Sequence, residues 1–497
     1  MRFVLAIIAC AQVTLGMVLL PRPLVRFAGY FGGRDKDAAN AIAVDQHGYI
    51  YVVGSTDSPD FPSTPDGVRA ESGVNNDDWV GFAAKFAPGA RRVVYSTFIG
   101  GSYRTFAKAV AVDQAGDAFV VGTTCSSDFL VTPNAFESRA PGGGKGVEGC
   151  DAFVAKLDAS GSHYLYATYL GGSGSDTATS VWVDTVGDAW VAGYTTSPDF
   201  PVTGDAVMRH MQGTRKGFLA ELDPQGKHLL YGTYLGGAGD DCVQAMASGG
   251  NSILYLVGAS DSADFLKDPT RKYSEGFVLP FSVERRALAG PVLPIGGAGY
   301  TAAAAVAVGS HGDIYVAGTT NSLDFPASTD AFQHRMKGTS DAFWARLQRE
   351  IETGRLRITY ASLLGGSQYT SGDAITVDRN GAVTLGGRTT SADLPVTPTA
   401  LVPNLRRTED AYLMRFAPGG SRLEFGSFVG GGTMPTTFNA GVNGLATDES
   451  GNLYVAAMVN EPSLMGTDCA LSTRPAGNLE PLILELTFGV SQTADVR

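Results

Sequence analysis

Seven times along the 497-residue chain, a short aromatic or aliphatic run ends in Gly-Gly. The runs are FAGYFGG (27–33), YSTFIGG (95–101), YATYLGG (166–172), YGTYLGG (231–237), PVLPIGG (291–297), YASLLGG (360–366) and FGSFVGG (425–431). Their spacing of 60 to 71 residues marks a repeat architecture, because self-similarity at a fixed period means stacked copies of one structural unit. After each Gly-Gly comes an alternating run, in five units ending in an Asp (Asp45, Asp113, Asp184, Asp378, Asp448), with a Gly three residues on. A second run follows (IYVVGST, AFVVGTT, AWVAGYT, IYVAGTT), then a polar segment resembling SPDFPVTP. A third run (FVAKL, FLAEL, FWARL, YLMRF) leads into the Gly-Gly run of the next copy.

Four runs of strand length per unit, with no helical periodicity, read as a four-stranded antiparallel blade. Seven units predict an all-β, seven-bladed β-propeller, a ring that leaves only short protected edges. We label the strands A to D from the axis outward. Strand D occurs first alone, at Phe27–Phe31, and the last A-B-C set has no D strand after it. The N-terminal strand is therefore expected to complete the C-terminal blade and close the ring.

These motifs resemble the bacterial SBBP repeat, a seven-bladed β-propeller repeat family. The matching elements are the aromatic-x-T-x-Φ-G-G strand, the Asp-x-x-Gly turn, G-x-T-x-S-x-D-F-P and D-A-F-V-A-K-L. They extend over about residues 27–487. The fourth unit departs, with Gly276 in strand C and Ser248-Gly249-Gly250 in place of the Asp turn. The seventh departs at Ala457 and Ser463. The resemblance implies exported bacterial proteins and brings no catalytic residues with it.

Composition narrows the function classes. Gly reaches 64 residues without a G-X-Y period, which excludes collagen, and 10% aromatic content argues against disorder. The net charge is −12, and no basic cluster exceeds pairs such as Arg91-Arg92, so nucleic acid is not an expected partner. Residues 3–20 form an apolar run after Arg2, ended by Pro21, which reads as a signal peptide or an N-terminal anchor. The expected division is 1–22 signal or anchor, 25–489 one propeller and 490–497 a tail. No other membrane segment is expected, and the chain is expected to be secreted or at the cell surface.

A residue repeated in register around a ring is spread away from its copies, whereas acid–base chemistry needs two groups at one substrate. The Asp residues before the A–B turns therefore read as turn residues. Asp60, Asp128, Asp199, Asp264, Asp324 and Asp393 read as caps in the B–C segments, the alternative being a ring of carboxylates for cations. The six histidines are dispersed and cannot converge on one metal; no metal, cofactor or catalytic residue is expected. Cys125 and Cys150, 25 residues apart in one B–C segment, are a possible disulfide in an exported protein. The non-repeated polar residues are few: Asp240, Asp241, Lys267, Arg271 and Lys272, a possible ligand-facing patch in the fourth unit. Trp182 replaces a small residue of strand A and reads as repacking or a channel feature. The expected function is a non-catalytic exported binding or scaffold module for a protein or cell-surface polysaccharide. The alternative is a lyase or hydrolase with its site at the central channel.

Overall fold

Each run read from the repeat folds as a strand, and consecutive runs pair antiparallel in seven separate sheets. A computed structural model describes residues 23–69, 78–143, 149–250, 252–267, 273–406, 408–432, 440–459 and 479–489. Blade 1 comprises Asp37–Val44, Ile50–Thr56, Val80–Phe86 and Val93–Ile99 as strands A to D. Blade 2 is Thr105–Val112, Ala118–Thr124, Asp151–Leu157 and Tyr164–Leu170, and blade 3 is Asp176–Val183, Ala189–Thr195, Lys216–Leu222 and Leu229–Leu235. Blade 5 is Thr301–Val308, Ile314–Thr320, Asp341–Arg349 and Leu356–Leu364, and blade 6 is Ala374–Val377, Val383–Thr389, Glu409–Phe416 and Leu423–Gly432.

Blade 4 has Asp241–Ser248, Ile253–Ser260 and Glu275–Ser282, but its strand D is broken into Ala287–Leu288 and Leu293–Ile295. Pro291 lies in the break, where it lacks the N–H a ladder needs, whereas Pro294 is tolerated in the outer segment, opposite Phe277. Blade 7 takes Gly441–Thr447, Leu453–Val459 and Glu480–Phe488 from the C-terminal part and Pro23–Tyr30 as its outer strand. The N-terminal strand pairs with Glu480–Phe488 from Pro23↔Phe488 to Tyr30↔Leu482, so the expected closure is borne out. The segments 1–22 and 490–497 lie outside the described residues. No helix among the described residues is long and apolar enough to cross a membrane.

The core is divided into layers between blades. Phe119, Val121 and Val154 of blade 2 pack on Ala178, Val191 and Phe218 of blade 3. Trp190 and Leu219 of blade 3 pack on Val243, Leu254 and Phe277 of blade 4. The closing layer joins Phe27 and Tyr454 of blade 7 to Ile42, Val52 and Phe82 of blade 1. Both faces of strands B and C are thereby buried, which is why these runs are continuously apolar and not alternating. Trp182 sits part-buried in the layer between blades 3 and 4, opposite Trp190, so it is a local repacking.

Strand A carries a bulge in six blades, between Ala39 and Ala41 in blade 1 and between Val442 and Gly444 in blade 7. In blades 1 to 5 a Gly of strand B faces it, and blade 7 has Ala457 there. A Cβ at Gly54 would stand 1.8 Å from the Ala38 carbonyl oxygen, and Gly122, Gly193, Gly258, Gly318 and Gly387 meet the same obstruction.

Candidate functional site

The polar motif residues are engaged within the ring. In six blades the B–C segment clamps the loop that follows Gly-Gly through side-chain acceptors. The carboxylates of Asp60, Asp128, Asp199, Asp264, Asp324 and Asp393 accept backbone N–H bonds from Arg34, Ser102, Ser173, Ala238, Ala298 and Ser367 at 2.8–3.0 Å. Ser58, Ser126, Ser197, Ser262, Ser322 and Ser391 accept from the next residue of that loop at 2.8–2.9 Å. A third side chain, such as Thr196 or Asn321, accepts from the residue after that. The S-x-D-F-P motif is thus a mould for the D–A connection.

At the opposite end, Asp45, Asp113, Asp184, Asp378 and Asp448 accept backbone N–H bonds of their own A–B turns at 2.8–3.0 Å. A strand C side chain stands beside each turn. In blade 2 Lys156 lies 3.0 Å from Asp113 and 3.2 Å from Asp117, and in blade 6 Arg415 lies 2.6 Å from Asp378. Blade 3 has Glu221 there instead, and the carboxylates of Asp184, Asp188 and Glu221 lie within 4.8 Å of one another. Burial pushes the Asp188 and Glu221 carboxyls up. A guanidinium answers this charge: Arg286, from the C–D turn of blade 4, reaches Glu221 at 2.8 Å and Asp205 at 3.3 Å.

The bulge gathers residues that do not repeat. It places Asn40, Lys108, Thr179, Gln244, Ala304 and Asn443 on the innermost strands, and Asp373 precedes the short strand A of blade 6 at the same position. Strand A of each blade touches strand A of the next. Three collar side chains bridge adjacent blades: Asn40 Nδ2 donates to the Ala107 carbonyl at 2.8 Å, Asn443 Nδ2 to Ala39 at 2.9 Å and Thr179 Oγ1 to Val243 at 2.9 Å. Lys108 is the collar's cation and makes no ion pair with a described residue; burial pushes its ammonium down. Asp373, the collar's carboxylate, accepts from Ser371 Oγ at 2.7 Å, and burial pushes it up. Sequence reading missed this collar because each residue sits just before the alternating run that was recognised as strand A.

Of the expected patch in the fourth unit, the structure describes Asp240, Asp241 and Lys267. Asp241 is 1% exposed. It pairs with Lys216 at 2.6 Å, accepts from Gly237 N and Ser262 Oγ, and has counterparts in Asp37 and Asp176. Asp240 belongs to the clamp: its carboxylate accepts from Thr214 Oγ1 at 2.6 Å and from Arg215 N, and the Thr214 hydroxyl holds it below the usual range. Lys267 is exposed, in a left-handed conformation ending a short helix. Arg271 and Lys272 lie outside the described residues. Cys125 and Cys150 are joined in a disulfide within the B–C segment of blade 2. Cys242 is a buried free thiol, and Cys469 lies outside the described residues.

Residues 27–62, 94–129 and 165–201 match the family model described as SBBP, beta-propeller repeat. Each match starts in strand D, runs through A and B of the next blade and ends in the B–C segment, so the sequence repeat straddles two blades. Within residues 27–201 the chain thus matches the SBBP repeat three times. No curated protein matches it. Similar solved structures include a protein from Lactobacillus plantarum at 12% identity, covering 80% of this chain and 94% of that one with a TM-score of 0.42. A PL25 ulvan lyase is similar at 10% identity, 93% and 95% coverage and a TM-score of 0.41. BamB from Moraxella catarrhalis is similar at 11% identity, 84% and 98% coverage and a TM-score of 0.34. Likenesses this remote assign no function.

Proposed function

We propose that the ring is an exported, non-catalytic scaffold that binds a protein or a cell-surface polysaccharide. One observation carries the reading: the recurring Asp, Ser and Thr side chains are engaged in clamps and turns. The collar's two charged groups stand on different blades, and Lys108 makes no ion pair with a described residue, which supports this reading. The B–C end of the ring presents apolar and aromatic side chains to water, with Leu323 at 84% and Tyr273 at 59% exposure. Loops on a rigid frame are the usual place for recognition. The Cys125–Cys150 disulfide supports an oxidising compartment. Nucleic acid stays an unfavoured partner on charge.

A second reading places a lyase or hydrolase site at the collar. It is favoured by Lys108, whose depressed ammonium pKa suits a base. A glycan array and a surface-protein binding screen on the purified ring, run beside a panel of hydrolase and lyase substrates, separate the two. Saturable binding without turnover supports the scaffold; turnover refutes it.

A further inference from the structure

The strand C position beside the A–B turn holds a cation in most blades that carry a turn Asp: Lys85, Lys156 and Arg415. Two of these also lie over the strand B aromatic ring, Lys85 4.9 Å from the Tyr51 centroid and Lys156 4.7 Å from that of Phe119. Blades 3 and 7 carry Glu221 and Glu485 instead. In blade 3 the neighbouring C–D turn delivers Arg286 onto Glu221. In blade 7 the neighbouring C–D turn, from blade 1, presents Pro88-Gly89, and a cleft of about 550 Å³ opens between the blades. Asp45, His47, Asp448, Glu449, Tyr454 and Glu485 line it.

Glu485 is 8% exposed, and its Oε2 has no hydrogen-bond partner among the described residues. Burial, and then the Asp448 charge, push its carboxyl up. Asp448 is already held by Asn452 Nδ2 at 2.7 Å and Tyr454 OH at 3.1 Å. Arg26, the cation that acts on Glu485, donates its Nε to Thr487 Oγ1 at 3.2 Å.

We propose that this seam cleft binds an organic cation, a guanidinium or alkylammonium head seated on the Glu485 carboxylate against the Tyr454 ring. Blade 2 shows the chemistry within the chain, its Lys156 ammonium lying 3.0 Å from the Asp113 carboxylate and 4.7 Å from the Phe119 ring centroid, which favours such a head over a hydrated metal ion. The inference stands independently of whether the ring is a scaffold.

The test is calorimetric titration of the full chain at low ionic strength with agmatine, with acetyl-arginine amide and with calcium chloride. Saturable one-site binding of agmatine or of the arginine amide is expected, the tighter of the two distinguishing a free amine from a protein side chain as the source. Glu485→Gln should weaken binding at least about tenfold. Glu485→Lys rebuilds the blade 2 arrangement, so it should abolish binding without lowering the melting temperature. Equal binding by wild type and Glu485→Gln, no binding of either probe, or saturable calcium binding in their place would overturn the proposal, as would a Glu485→Lys ring that melts well below wild type.

Discussion

Removing the N-terminal strand should open the ring at a place fixed by the structure. Deletion through Phe31 takes away the ladder to Glu480–Phe488 and three large side chains, Phe27, Tyr30 and Phe31, at 1%, 1% and 3% exposure. At about 1.5–3 kcal/mol for each large side chain buried, the loss is roughly 5–9 kcal/mol, comparable with the total stability of many domains. It also leaves Glu480–Phe488 as an unpaired edge, which favours association between chains. The truncated protein should melt far below the intact one and aggregate. Phe27→Ala is a milder form, costing about 3–5 kcal/mol. Unfolding entropy of about 2 cal/mol/K per residue converts this to a fall of roughly 3–5 °C for a ring this long, if it melts cooperatively. A synthetic Pro23–Phe31 peptide should bind the truncated ring and raise its melting temperature. The reasoning fails if the truncated protein melts with the intact one, or if the peptide does nothing.

Replacing Cys125 and Cys150 by Ser frees a 25-residue loop, and loop entropy sets the expected loss at about 3 kcal/mol in chemical denaturation; an unchanged midpoint would contradict it. Asp241→Ala leaves Lys216 buried without its partner and should cost about 3–5 kcal/mol, whereas a surface ligand residue would cost almost nothing in the same melt. Asp37, Glu137 and Asp151 are pushed up to about 7, by burial first. The folded ring therefore holds more protons than the unfolded chain between the ordinary carboxylate range and pH 7, so stability falls as pH rises through that window. The melting temperature should be higher at pH 5 than at pH 8, and the difference should shrink in Asp37→Asn.

Blade number, strand order and closure were legible because each rests on a motif that recurs. The clamp was half legible: Asp60 and its copies were seen as caps, but the partner loop appears only when chain segments 26 residues apart meet. Asp241 was misread because its position alternates between Asp37, Asp176, Thr105, Thr301 and Thr370, so two residue types share one buried task. The collar was hidden by the bulge. One extra residue breaks the period of two on which strand reading depends, and Lys108 and Asp373 fell outside the recognised run. The seam signal was present in the sequence, since FVAKL and FLAEL differ at the residue that becomes Lys156 or Glu221. Its meaning needed the facing turn of the next blade.

The central claim is that the ring holds a partner and performs no chemistry. Its most direct test is a turnover screen of the full chain against polyuronates, neutral glycans, esters and peptides, with Lys108→Met and Asp373→Asn run beside it. The account predicts no turnover by any of the three proteins. Turnover by the intact chain that disappears in Lys108→Met, with the ring still folded, would contradict it.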